Sequence, residues 1–102
     1  MTDKPNVVMN AQTHRFEVVQ DGETAFAEYR LKDGVLTLPH TVTPEALGGR
    51  GIAGALAEAA LGYARTNGLL VKPTCPFIAS YIDRHPEWRE VLHPDFRPSS
   101  DA

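Results

Sequence analysis

Cys75 is the chain's single cysteine, so no internal disulfide can staple it. No stretch approaches the roughly 20 consecutive apolar residues that cross a bilayer, which excludes an integral membrane protein. The polar start MTDKPNVVMN has no apolar run like that of a secretory leader, and we expect a cytoplasmic protein. Basic residues are in the minority, 10 against 13 acidic ones for a net charge of -3, and no Lys/Arg cluster stands out in the sequence. That argues against a nucleic-acid partner, and any anion site must be local. One cysteine with four scattered histidines offers no ligand spacing for a metal, so none is expected. No repeat or linker divides the 102 residues, which fit one domain, 1–102, with its core in about 14–92 and loose ends over the first ten or so residues and 94–102.

Three strand-like runs come first: 14–20 (HRFEVVQ), 24–32 (TAFAEYRLK) and 35–43 (VLTLPHTVT). Ala25, Ala27, Tyr29 and Leu31 alternate with Thr24, Glu28 and Arg30, with Phe26 breaking the polar face. Asp21-Gly22 and Asp33-Gly34 stand between the runs, and Asp-Gly suits a tight hairpin because both central residues take positive φ. An antiparallel meander follows. After Pro44 the period changes: Ile52, Leu56, Ala59, Ala60 and Tyr63 share one helical face, giving a main helix from about Gly49–Gly51 to the Asn67-Gly68 cap. Gly62 inside it marks either close packing or a tolerated weakness. Leu69–Val71 reads as a short buried strand closed by Pro73 and reached by a crossover, which embeds a βαβ unit. A short second helix runs from Pro76 to Pro86 with Phe77, Ile78, Tyr81 and Ile82 on its apolar side. The predicted class is α/β.

The turn Leu47-Gly48-Gly49-Arg50-Gly51-Ile52-Ala53 joins a strand to the main helix. Two readings stand: the glycines only let the chain turn, or they bare backbone N–H groups at a helix start, where unpaired donors and the helix dipole suit a diphosphate.

His40-Thr41, the Gly-Gly-Arg-Gly-Ile-Ala turn, Pro73-Thr74-Cys75-Pro76-Phe77 and Tyr81 occur in an order that resembles the minimal, YjdJ-like acetyltransferases of the GNAT superfamily, from about residue 14 to 92. The resemblance implies a GNAT-like fold and transfer of an acetyl group from acetyl-CoA to an amine in a direct ternary complex. It places the superfamily's Gln/Arg-x-x-Gly-x-Gly/Ala diphosphate motif on Gly48–Ala53. Gly51 and Ala53 match, while Gly48 replaces the usual Gln or Arg and Arg50 compensates in part. It implies a cofactor site of Leu38, His40, Thr41, Val42, Gly48, Gly49, Arg50, Gly51, Ile52, Ala53, Cys75 and Tyr81, with residues 38–42 bordering the pantetheine arm. The ligand should then lie where the last two strands part, at their carboxyl ends.

Three residues are candidates for catalysis. His40 follows Leu36 and Leu38 on one strand face, so it points inward or to the cleft; it is a core histidine or a base, for which imidazole's free pKa of about 6.5 is suitable. Tyr81 is a packing residue or the acid for the leaving thiolate. Cys75, just ahead of a helix N-terminus, is a small apolar filler or a nucleophile. The family commonly has an acid two positions after the histidine, and here that position is Val42; Glu45 is the nearest replacement. The departure leaves a non-catalytic acyl-CoA sensor or interaction module as the alternative. His85 either lines the acceptor cleft or simply ends a helix, and His14 and His93 carry no signal. The expected partners are acetyl-CoA and an unidentified amine, the protein being a monomer or weak homodimer.

Overall fold

A computed structural model describes residues 5–49 and 51–96. Five strands form one sheet in the order β1 (Val8–Asn10), β2 (Arg15–Gln20), β3 (Glu23–Lys32), β4 (Val35–Val42) and β5 (Leu70–Lys72). The first four run antiparallel, and β5 lies parallel to β4 after α1 (Ile52–Thr66) has crossed between them. The predicted meander leading into a βαβ unit is therefore the observed architecture, a mixed α/β sheet with a long and a short helix. The β2–β3 and β3–β4 hairpins close through two residues each, the β1–β2 hairpin through four. Asp21 (φ 53°) and Gly22 (76°), and Asp33 (53°) and Gly34 (77°), all take left-handed φ, as the type I′ turn requires.

Inward-facing Phe16, Val18, Ala25, Ala27, Tyr29, Leu36 and Leu38 are buried beneath the α1 stripe of Leu56, Ala57, Ala60, Leu61 and Ala64. The small residues Ala25 and Ala27 face that helix, and burial of each large aliphatic side chain contributes about 1.5–3 kcal/mol. α1 ends as a Schellman motif: the Gly68 amide bonds the Arg65 carbonyl and the Leu69 amide bonds that of Ala64, with Gly68 at φ 66°. Gly62 is not an intimate contact, since a Cβ there would lie 4.0 Å from Trp88 Cη2.

α2 (Pro76–Arg84) begins on Pro76 at its first turn and stops before Pro86, after which a 3-10 segment, Pro86–Val91, brings Trp88 and Val91 into the core. Arg65 fastens this segment to α1, donating from Nη2 to the Glu87 carbonyl at 2.9 Å, pairing with Glu90 at 2.7 Å and lying 4.2 Å over the Trp88 ring. Leu92 then bridges to Val71, and the His93 amide bonds the Val71 carbonyl, covering part of the β5 edge.

Two expectations are corrected. The first ten residues are not all loose, because Val8–Asn10 pairs with Arg15–Glu17 as an edge strand. His14 at φ 57° belongs to the turn rather than to β2. At the other end Pro94–Phe96 makes one 3-10 turn, and residues 1–4 and 97–102 lie outside the described residues. Among the described residues no helix is long and apolar enough to cross a membrane, and no His/Cys/Asp/Glu group could hold a metal ion.

Candidate active site

β4 and β5 stay paired for only three residues, from Val35↔Leu70 to Thr37↔Lys72. The Cys75 amide then bonds the Leu38 carbonyl at 2.9 Å, and beyond that point β4 runs on to Val42 with no strand on that side. Chain leaving this split makes a 3-10 turn at Glu45–Leu47 and reaches α1 through Gly48–Gly51.

Gly49 (φ 77°) and Gly51 (φ 73°) take left-handed conformations, and at neither would a Cβ meet another atom within 4 Å. The space beside this backbone is open. Gly51 caps α1 with no side-chain hydrogen bond, and no acidic residue stands in the helix's first turn. The first α1 amides and the positive end of the helix dipole are thus left for a ligand, which is the setting a diphosphate needs. Glu45 stands outside that first turn, as the first residue of the separate 3-10 segment.

These residues line an open groove of about 470 Å³ that contains Gly48, Gly49, Gly51, Ile52 and Ala53 on one side and Phe77, Tyr81, Arg84 and His85 on the other. Phe77, Tyr81 and His85 recur at four-residue spacing and form one wall, with Arg84 beside them. The Tyr81 ring stacks on His85 at 4.1 Å, and its Cε2 lies 3.7 Å from where a Cβ on Gly54 would stand. His85 Nδ1 is 2.9 Å from the Tyr81 carbonyl. Burial pushes the Tyr81 phenol pKa up, with Glu58 and Glu87 adding to the rise against Trp88 and Arg84. The hydroxyl therefore stays a neutral donor. Arg84 is a groove residue that sequence reasoning passed over, its i+3 spacing from Tyr81 being the available signal, while His85, for which a cleft was one of two readings, lines this groove.

Cys75 is 6% exposed at the N-cap of α2, with its Sγ 3.5 Å from Thr41 Oγ1. Burial alone would raise its pKa, but the Thr41 hydroxyl and the amides of Ile78, Phe77 and Thr41 outweigh that and lower it. Leu38, Thr41 and Cys75 thus meet at the split, while Arg50 lies outside the described residues.

His40 is elsewhere than its spacing suggested. Between Arg30↔Thr37 and Glu28↔His40, two steps on β3 face three on β4, so Leu38-Pro39 forms a bulge. Pro39 supplies no ladder N–H, which suits such a position. The extra residue reverses the alternation: His40 is exposed on the sheet face opposite the helices, and Thr41, opposite buried Ala27, takes the inner side. Val42 shares His40's face, opposite Phe26 and 44% exposed. Half-buried Glu28, directly across from His40 and diagonal to Val42, places a carboxylate on that face; no sequence motif pointed to it.

Comparison with known proteins agrees with this geometry. Protein NATD1 from chicken (Gallus gallus) and from human (Homo sapiens) are each 39% identical to the chain over 62 residues, 59% of its length. The match spans 56% of the chicken protein and 55% of the human one, so the chain spans little more than half the length of these relatives. The family described as GCN5-related N-acetyl-transferase matches residues 15–91, from the start of β2 through the 3-10 segment behind α2. Since that stretch includes the split, the glycine turn and both walls of the groove, the chain belongs to the GCN5-related N-acetyltransferase family.

Proposed function

We propose that the protein transfers an acetyl group from acetyl-CoA directly to an amine within a ternary complex. The observation that carries the reading is the open left-handed backbone at Gly49 and Gly51, set at an α1 N-terminus with no acidic residue in its first turn. Amides of Gly49, Gly51, Ile52 and Ala53 would hold the diphosphate, with Arg84 as the nearest cation across the groove. Past Leu38, whose carbonyl already takes the Cys75 amide, the β4 edge as far as Val42 has no strand beside it among the described residues and would hydrogen-bond an extended arm as an added strand does.

Acetyl-CoA supplies an acyl carbon bonded to a good leaving thiolate. Transfer forms an N–C bond and breaks a C–S bond, so the amine must lose a proton and the sulfur must gain one. Tyr81, held neutral by burial, gives its proton to the sulfur. His40, with Glu28 across from it, takes the proton of an amine that approaches through the split from the outer face. Cys75 and Thr41 border the split on the inner side, where the thiol packs beside the reacting carbonyl rather than attacking it. The reading carries with it a cytoplasmic protein that acts as a monomer or weak homodimer.

The alternative, a non-catalytic acyl-CoA sensor, rests on Val42 standing where the family commonly has an acid. Glu28 on the neighbouring strand answers it, since its carboxylate sits on the same face. Calorimetry with CoA and acetyl-CoA tests the cradle; absence of binding by either sinks both readings. Turnover across a panel of amines separates them, and a protein that binds acetyl-CoA yet acetylates none is the sensor.

A further inference from the structure

The outer face of the sheet carries a second feature, away from the groove. Arg30, Thr37 and Lys72 stand side by side across β3, β4 and β5, and Lys32 lies one step nearer the hairpin on the same face. With Val35 and Asp33 they line an open depression of about 420 Å³. Among the described residues none of the three cations is held in an ion pair. The one carboxylate at the rim, Asp33, belongs to the turn. A chain of net charge -3 thus places three unpaired cations on adjoining strands, where like charges repel. An anion bridging Arg30 and Lys72 over the Thr37 hydroxyl relieves that repulsion and finds charged and neutral donors already aimed at it.

The location gives this cluster a meaning. Arg30 is two residues from Glu28 along β3, about 7 Å, and Thr37 is three from His40 along β4, at most about 10 Å. Anion site and amine site therefore share one open face within a short ligand's reach. We propose that the acceptor is an amine carrying a carboxylate or phosphate group about 7–10 Å from its nitrogen, bound by Arg30, Lys72 and Lys32. The amine end of this assignment rests on the acetyl-transfer reading above; the anion end does not. Acceptors with clustered positive charge are correspondingly disfavoured.

The test uses the full chain, 15N-labelled, and three peptides with a free amino terminus that differ at the third and fourth residues: two aspartates, two asparagines, or a phosphoserine followed by asparagine. The acidic peptides should shift the amides of Arg30, Thr37 and Lys72 and bind at least tenfold more tightly than the asparagine peptide. The double variant Arg30→Gln/Lys72→Gln should erase that preference without altering CoA binding. In turnover with acetyl-CoA the same variant should raise KM for the acidic peptides and leave kcat unchanged. A tighter phosphoserine peptide identifies phosphate as the preferred anion; a tighter aspartate peptide identifies carboxylate. Shifts confined to other strands, or a preference that survives the double variant, overturn the proposal. If CoA fails to bind while the anion preference holds, the transferase reading falls and the anion site stands. If amines are acetylated without regard to their charge, the reverse is true.

Discussion

At φ 73° Gly51 occupies a region that asparagine enters at little cost and β-branched residues enter only with strain. Gly51→Asn therefore fills the space beside the backbone while leaving the turn intact. It should keep its melting temperature within a few degrees and lose about tenfold or more in CoA affinity, both measurable on one preparation by thermal scan and calorimetry. Unchanged affinity would place the diphosphate elsewhere. Tyr81→Phe removes the hydroxyl and keeps the ring stacked on His85, so CoA binding should hold while kcat falls by about 10² to 10⁴ with chemistry rate-limiting. At Cys75 burial raises the thiol pKa, but hydrogen bonds from Thr41, Ile78 and Phe77 outweigh it and lower the pKa from that of a free cysteine. Alkylation of this thiol should follow a pH profile whose midpoint lies below that of a free cysteine, and CoA should slow the reaction. The sign for stability follows: a depressed thiol pKa contributes stability above the unfolded thiol's pKa, and the contribution is lost as pH falls through the folded one. A midpoint above that of a free thiol would contradict the arrangement at Thr41. The glycine turn was legible because residue type alone marks it, whereas Tyr81, which lines the groove, was singled out through the family resemblance. His40's orientation could not, since one bulged residue reverses a strand's alternation without changing its composition.

Helix α1 contains two glycines with opposite expected responses. Gly62 has helical backbone and room for a methyl group, so Gly62→Ala should stabilise the protein by about 0.5–1 kcal/mol in denaturant unfolding. Gly68 has φ 66°, and Gly68→Ala should destabilise it by about 1 kcal/mol, the usual cost of a side chain in the left-handed region. Equal effects of the two changes would contradict the helix boundary drawn between them. The Asp-Gly pairs and the Asn67-Gly68 cap were legible because each needs a particular φ that few residues supply. β1 was not, for Val8–Asn10 is too short to show alternation and is a strand only because Arg15–Glu17 lies beside it. Pro86–Val91 was equally silent, since what fixes it is Arg65, 22 residues away from Glu87.

The helices that cover the sheet leave the face bearing Glu28, His40, Arg30 and Lys72 bare, and the molecule so divides its surfaces between a groove on the helix side and charge on the other. The split opens where the parallel pairing of β4 and β5 ends. That parallel pairing also has a consequence for the order in which the chain assembles. The antiparallel hairpins close over two to four residues, whereas β5 reaches β4 only after the whole of α1 has been laid down, a longer loop to close. Three paired residues and two further amide bonds, Leu70 to Gly34 and Cys75 to Leu38, hold the joint. Amide protons of Leu70–Lys72 should therefore exchange with solvent sooner than those of Phe16–Val18, with CoA slowing the former and hardly touching the latter. The last joint to form in folding is then the first to breathe in the folded protein, and on the acetyl-transfer reading a cofactor wedged into it would act as its latch.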